Sequence, residues 1–362
     1  MLQINILFPK NPGIYECFLT PLLVNRRRLN DNGIRFRIFS NDDDAFYDAD
    51  IVIVFSNILR GWGCSGVSGE DVTLKAIHLL ERVKQRAGCV FWFDVSDSTG
   101  SNQFQYLPYV DKFLKAYLLK DVTAYQQQYY RDRIYTDYYH QHFNILEEKA
   151  PPLRILPSQT DLPKIQLGWS SALGDFGWAA PYLRQARRYL PLPNFYTARF
   201  ANPARTRNVP INMRFSAHYN RATIAYQRQQ LAEKASQLGV SMGRIPRNEY
   251  LRELRRSRVA VSPFGWGEVC FRDYEIMLSG SALIKPDVSH MNTWPNLYLP
   301  DQTYLPIQWD LSDFQAELNS ALMNDIWIEI ASQAQSVYRK YLFEEEGRLA
   351  FCEHFLRSLN LS

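Results

Sequence analysis

The stretch SPFGWGEVCFRDYEIMLSGSALIKPD, residues 262–287, decides how this 362-residue chain is read. The apolar run 259–262 before it predicts a short buried strand, and 269–278 predicts a helix that Gly280 stops. Residues 282–284 then predict the next strand. The loop Phe264-Gly265-Trp266-Gly267-Glu268 therefore joins a strand to a helix. Such a turn offers free backbone N–H groups and the positive end of the helix dipole, and its glycines let a phosphate approach closely. Arg272 lies about one turn into the helix, and Glu275 three residues further on, so both share a face. A guanidinium suits phosphate oxygens, while a carboxylate can accept two ribose hydroxyls. Read in isolation, the two would be an ordinary surface ion pair. Lys285, after the next strand, is a weaker phosphate candidate.

Outward from this stretch the same alternation continues. Upstream, 209–215 predicts a strand, and 222–238 and 247–257 predict helices; downstream, from about residue 311, the chain reads as helical. In the first half, 4–8 predicts a strand, 15–29 a helix, 34–39 and 51–55 strands, 69–86 a helix and 89–93 a strand. Residues 109–119 add a further strand, and 122–143 a further helix. A βαβ series implies a parallel sheet. Eight prolines between residues 151 and 203, with the patch GWSSALGDFGW at 168–178, predict an irregular connector between domains.

Composition narrows the classes. With 41 Lys and Arg against 37 Asp and Glu, a net charge of +4 is too small for a dedicated nucleic-acid binder. The basic stretches at 26–30, 182–190 and 251–258 read as solvated faces. No apolar run reaches the ~18–20 residues needed to span a bilayer, and Pro9 interrupts the first apolar run before a signal-type core forms. The 5 cysteines are odd in number and form no CxxC pair, which fits the cytosol and suggests neither a disulfide framework nor a structural zinc site. Aromatic residues reach 14%, with many beside Gly, Asn and Arg, where ring faces can stack on sugars or bases.

Asp94 ends the strand of FWFDVSDSTGS, where ligands of open α/β sheets bind, so it is a candidate base; as a strand-end Asp it equally suits a turn or cap. Asp97 follows in a turn context. The loop after the first strand brings Asn11, Gly13, Tyr15 and Glu16 to the corresponding place, where an ordinary turn would use the same residues. Arg221 and Arg228 begin the helix after residue 215, with Arg221 closer to the turn.

The order strand, Ser-Pro-Phe-Gly-Trp-Gly-Glu, Arg-Asp-Tyr-Glu, glycine turn and Ala-Leu-Ile-Lys-Pro strand resembles the donor-binding segment of GT-B glycosyltransferases over about residues 258–298. In retaining members of that superfamily two glutamates usually have seven residues between them; Glu268 and Glu275 have six. The resemblance implies an α/β fold with two Rossmann-like domains facing a cleft. The expected boundaries are an acceptor domain over 1–165, a connector over 166–190 and a nucleotide-sugar domain over 191–340. A C-terminal helix over 341–362 would pack back on the first domain. It implies transfer of a sugar from a nucleotide sugar to an acceptor hydroxyl, in glycan or surface-polysaccharide synthesis. Donor binding would fall to Arg221, Gly265, Trp266, Gly267, Arg272, Glu275 and Lys285. Chemistry would fall to Asp94 and Glu268, and acceptor contact to Asn11, Gly13, Tyr15 and Glu16. No metal or other cofactor is obligatory. The expected partners are the nucleotide sugar and a glycan or glycolipid, not nucleic acid. The expected location is the cytoplasm, with peripheral contact at the inner membrane face as its extension. The rivals are a nucleotide-dependent oxidoreductase, which would need a GxGxxG where Phe8-Pro9-Lys10-Asn11-Pro12-Gly13 stands, and a non-catalytic nucleotide- or carbohydrate-binding protein.

Overall fold

The computed structural model describes residues 1–61, 69–100, 103–148, 155–177, 179–189, 195–323 and 325–360. Pro151, Pro152, Pro191, Pro193 and Trp178 of the expected connector, and Cys64, lie outside them.

The first half builds strands β1 (Leu2–Leu7), β2 (Ile34–Phe39), β3 (Ile51–Phe55), β4 (Cys89–Asp94), β5 (Lys112–Lys115), β6 (Tyr117–Leu119) and β7 (Ile165–Leu167). All but β6 join one parallel sheet in the order β2-β1-β3-β4-β5-β7. Its helices are α1 (Glu16–Val24), α2 (Arg26–Asp31), α3 (Ile58–Gly61), α4 (Gly69–Arg86), α5 (Ile134–Phe143) and α6 (Ala180–Tyr189). β3 is apolar at every position because a central parallel strand is covered on both faces; β2, at the edge, exposes Arg35 and Arg37.

The second half builds β8 (Val209–Asn212), β9 (Ser257–Val261), β10 (Ala282–Pro286), β11 (Met291–Thr293) and β12 (Leu305–Ile307). Its parallel sheet runs β12-β10-β9-β8. The helices are α7 (Ala222–Gln237), α8 (Arg247–Leu254), α9 (Phe271–Ser279), α10 (Phe314–Met323), α11 (Ile326–Phe343) and α12 (Glu345–Ser358). Gly280, at φ +70°, closes α9 in the left-handed conformation that glycine tolerates. The chain is thus two Rossmann-like α/β units.

Several predicted elements differ: the strand expected over 109–119 divides into β5 and β6, which enter different sheets. The helix expected over 15–29 breaks at Asn25, whose side chain returns to Pro21 O at 2.9 Å. The helix expected over 122–143 survives only as α5. Asp121 caps a short turn at Thr123, and Arg131 and Asp132 take positive φ. The proline-rich connector contains β7, the sixth strand of the first sheet.

The halves are cross-linked in both directions. β6 pairs antiparallel with β11 of the second half. Glu147 accepts from the Ala222 and Thr223 amides at 3.1 Å each, capping α7. Glu268 reciprocates by accepting from Thr99 N at 3.1 Å. Tyr135 donates to Gly265 O at 2.9 Å and Tyr139 to Trp309 O at 2.8 Å. At the end of the chain α12 buries Phe351 and Phe355 against Trp169, and its His354 bonds Gly168 O at 2.8 Å. Lys112 Nζ donates to Ser358 O at 2.7 Å just beyond. Among the described residues no helix is long and apolar enough to cross a membrane.

Candidate functional site

A cavity of about 500 Å³ lies between the two sheets at the carboxyl ends of their strands, the place where open α/β sheets bind ligands. From the first half, the loop after β1 supplies Ile14 and Tyr15, and the loop after β4 supplies Val95 and Asp97. From the second half, the loop after β8 supplies Arg214, Ser216 and His218, the turn before α8 supplies Arg244, the first residue of α8 is Arg247, and the loop after β9 supplies Gly265 and Trp266. Helices α7 and α9 add Arg228, Arg272 and Glu275.

Five arginines (214, 228, 244, 247 and 272) thus face two carboxylates, Asp97 and Glu275. Two of them are short of compensation. Arg228 is 5% exposed, and among the described residues its guanidinium meets neutral groups: Phe264 O at 2.7 Å, Ser216 O at 3.0 Å, the Tyr219 ring at 4.8 Å and the Phe215 ring at 5.8 Å. Burial pushes its pKa down. Arg272 lies 5.6 Å from the Phe215 ring, and its Nε is buried without a hydrogen-bond partner. Holding a buried cation such as Arg228 without a counter-charge costs several kcal/mol, so an anion entering here would be stabilised. The start of α9 is already partly satisfied within the chain, where Cys270 and Asp273 form a reciprocal capping box and Asp273 accepts from Cys270 N at 3.3 Å. Arg214 is already engaged by Glu253 at 3.0 Å.

Arg272 and Glu275 do not pair with one another. Glu275 meets Arg247 at 3.0 Å instead, and burial raises its pKa against the pull of Arg247 and Arg272. A second cavity, about 270 Å³, shares Ile14, Arg247, Phe271 and Glu275 with the first and adds Glu16.

Of the sequence candidates, Tyr15, Gly265, Trp266, Arg272 and Glu275 come together in the cleft. Asn11 and Gly13 are exposed beside it but do not line it. Arg221 stands back, with its guanidinium 4.7 Å over the Trp266 ring.

Four candidates need correction. Asp94 is fully buried: Lys115, its neighbour in the β4–β5 register, pairs with it at 2.8 Å, so no carboxylate oxygen faces the cleft. Burial would raise its pKa, but the Lys115 charge and hydrogen bond bring it below the usual carboxylate range. Lys285 has no exposed side-chain surface and lies 3.1 Å from the equally buried Asp273, an ion pair of the core and not a phosphate ligand. Glu268 is also fully buried. It holds Thr99 through both carboxylate oxygens and meets His290 at 3.4 Å; against its burial, these bonds depress its pKa to about 2. Gly267 serves the same junction: a Cβ there would lie 1.7 Å from Asp97 O, so the missing side chain admits the first half and not a phosphate.

Sequence reading missed Arg214, Arg244 and Arg247 and ranked Arg228 below Arg221. Residue 228 lies about two helical turns beyond Arg221, on the stripe Ile224, Arg228, Leu231 and Ala235 that α7 buries. That helical spacing was the available signal.

No family model matches the chain, and no curated protein does. Among solved structures the chain is similar to HepE from Anabaena in complex with UDP and glucose, with TM-score 0.44 and 9% identity over 99% of this chain and 100% of that one. It is similar to a glycosyltransferase from Rickettsia africae, with TM-score 0.46 and 10% identity over 100% and 99%. It is also similar to a putative UDP-N-acetylglucosamine 2-epimerase from Listeria monocytogenes, with TM-score 0.40 and 10% identity over 99% and 96%. The chemistry rests on the residues of the cleft.

Proposed function

We propose that this chain is a glycosyltransferase that binds a nucleotide sugar in the cleft and passes the sugar to an acceptor hydroxyl. The observation that carries the reading is the pair Arg228 and Arg272, cations with no carboxylate partner within ion-pair distance among the described residues, facing a cavity beside the start of α9. A diphosphate supplies the missing charge, and the same groups would stabilise it as it leaves. Glu275, released from Arg247, would accept the ribose hydroxyls, while Trp266 and Tyr15 line the rest of the cavity. Asp97 takes the place expected of Asp94 as the first-half carboxylate facing the acceptor side.

The test is a thermal-shift screen with UDP, GDP, CMP, dTDP and NAD(P), with and without Mg²⁺. A ligand that binds only the folded chain raises its stability by mass action. One nucleoside diphosphate should stabilise the protein selectively, and Arg228→Met and Arg272→Ala should each abolish the shift while leaving the unliganded melting temperature above assay temperature. Stabilisation by NAD(P) alone would replace the transferase reading with the oxidoreductase one. Donor binding without hydrolysis or transfer on any acceptor would favour a binding protein.

A further inference from the structure

At the rim of the cleft, beyond Trp266, stands a second cationic group that the donor reading leaves unused. Trp266 is 42% exposed, unusual for so large an apolar side chain. One of its faces is covered by the Arg221 guanidinium at 4.7 Å, and Tyr219 meets it edge-on at 5.5 Å. Arg221 carries a buried Nη1 with no hydrogen-bond partner. Nearby Arg133, at the start of α5, carries a buried Nε in the same condition, its Nη1 meeting only Arg131 O at 3.3 Å. Neither arginine forms an ion pair among the described residues. The adjacent Glu147 carboxylate is spent on the Ala222 and Thr223 amides and the Thr223 hydroxyl.

The two guanidiniums are not equally compensated: burial and the Arg133 charge lower the pKa of Arg221 against the pull of Tyr135 and Glu147. At Arg133 burial is outweighed by Tyr135 and the Asp97, Glu268 and Asp132 charges, which raise its pKa. Buried donors left unsatisfied cost about 1–3 kcal/mol each and call for an explanation. A guanidinium stacked on an indole is a planar fork already oriented, the geometry that matches paired anionic oxygens.

We propose that Arg221, Arg133 and Trp266 form a subsite for the negatively charged group of an acceptor sugar, a carboxylate or a phosphate. The inference rests on the transferase reading of the adjoining cleft. The exposed part of Trp266 receives the sugar ring and the two arginines receive its charge, which holds the acceptor at the mouth of the donor cavity.

The experiment titrates intrinsic fluorescence with glucuronic acid, glucose 6-phosphate and glucose, in the presence of the nucleoside diphosphate that stabilises the protein. Trp266→Phe identifies the responding indole. Expected is saturable binding of at least one anionic sugar, at least tenfold tighter than glucose and weakened by salt; the stronger of the two distinguishes carboxylate from phosphate. Arg221→Met should erase the preference without changing the nucleotide shift, and Arg221→Lys should keep part of it. Arg133→Met, checked for an intact melting transition, should act like Arg221→Met. Equal binding of glucose, no binding of either anionic sugar, or an unchanged preference in Arg221→Met overturns the subsite. A wild type that no nucleoside diphosphate stabilises instead overturns the transferase reading, and the acceptor role with it.

Discussion

Glu268→Gln separates a structural carboxylate from a catalytic one. Glu268 sits with no exposed surface across the junction of the halves, holding Thr99 and His290. Its pKa falls from an ordinary 4.5 to about 2. At about 1.4 kcal/mol per pKa unit this is about 3 kcal/mol of stability from the ionised form, near the ~3–5 kcal/mol lost when one member of a buried charged pair is removed. The unfolded chain binds the proton near 4.5 and the native chain only near 2. The contribution is therefore complete above pH 4.5 and disappears as pH falls through about 2. Glutamine keeps an oxygen for Thr99 and loses the charge. In urea titrations at pH 7 the variant should unfold about 3 kcal/mol more easily, roughly 1 M earlier in urea. The gap from wild type should close progressively below pH 4.5. Nucleotide affinity, measured where both proteins are folded, should change by less than about threefold. A variant as stable as wild type but without turnover would refute the structural role and return Glu268 to the chemistry.

Asp94→Asn should cost ~3–5 kcal/mol by stranding Lys115 in the core, while turnover per folded molecule, from activity normalised to the folded fraction, stays within about threefold. Burial lowers the His354 pKa from 6.5 to about 4. The unfolded chain therefore holds the extra proton between those values, and stability should fall as pH drops through that window; urea midpoints from pH 7 to 4.5 should show the loss in wild type and not in His354→Gln. Arg247→Ala removes the charge that opposes the raised pKa of Glu275. Calorimetric titration with the nucleoside diphosphate from pH 8 to 5 should then lose affinity at a higher pH in the variant than in wild type.

The sheets were legible where burial leaves a continuous signal. The all-apolar β3 and the alternating β2 announce a central and an edge strand. β7 was not legible, because Ile165–Leu167 has three residues between a proline turn and Gly168 and owes its strand state to pairing with β5. The glycine loop after β9 was legible because glycines, strand end and helix start coincide in one short segment. Asp94 was misread for want of register: only the pairing of β4 with β5 puts Lys115 beside it. Lys285 and Asp273 repeat the lesson within the second half. The cleft arginines come from separate loops and helices, and a single arginine in sequence looks like any solvated side chain. What gathers them is the packing of the second half.

The mutual bracing of the halves has a consequence for how this molecule comes apart. Residues 117–147 belong by sequence to the first half, yet β6 and α5 are built into the second, and Glu268 and Glu147 clasp in opposite directions. Neither sheet can melt without stripping the other of hydrogen bonds it cannot replace. The two units therefore share a single melting equilibrium, and a ligand seated between them lends its binding energy to every strand of both.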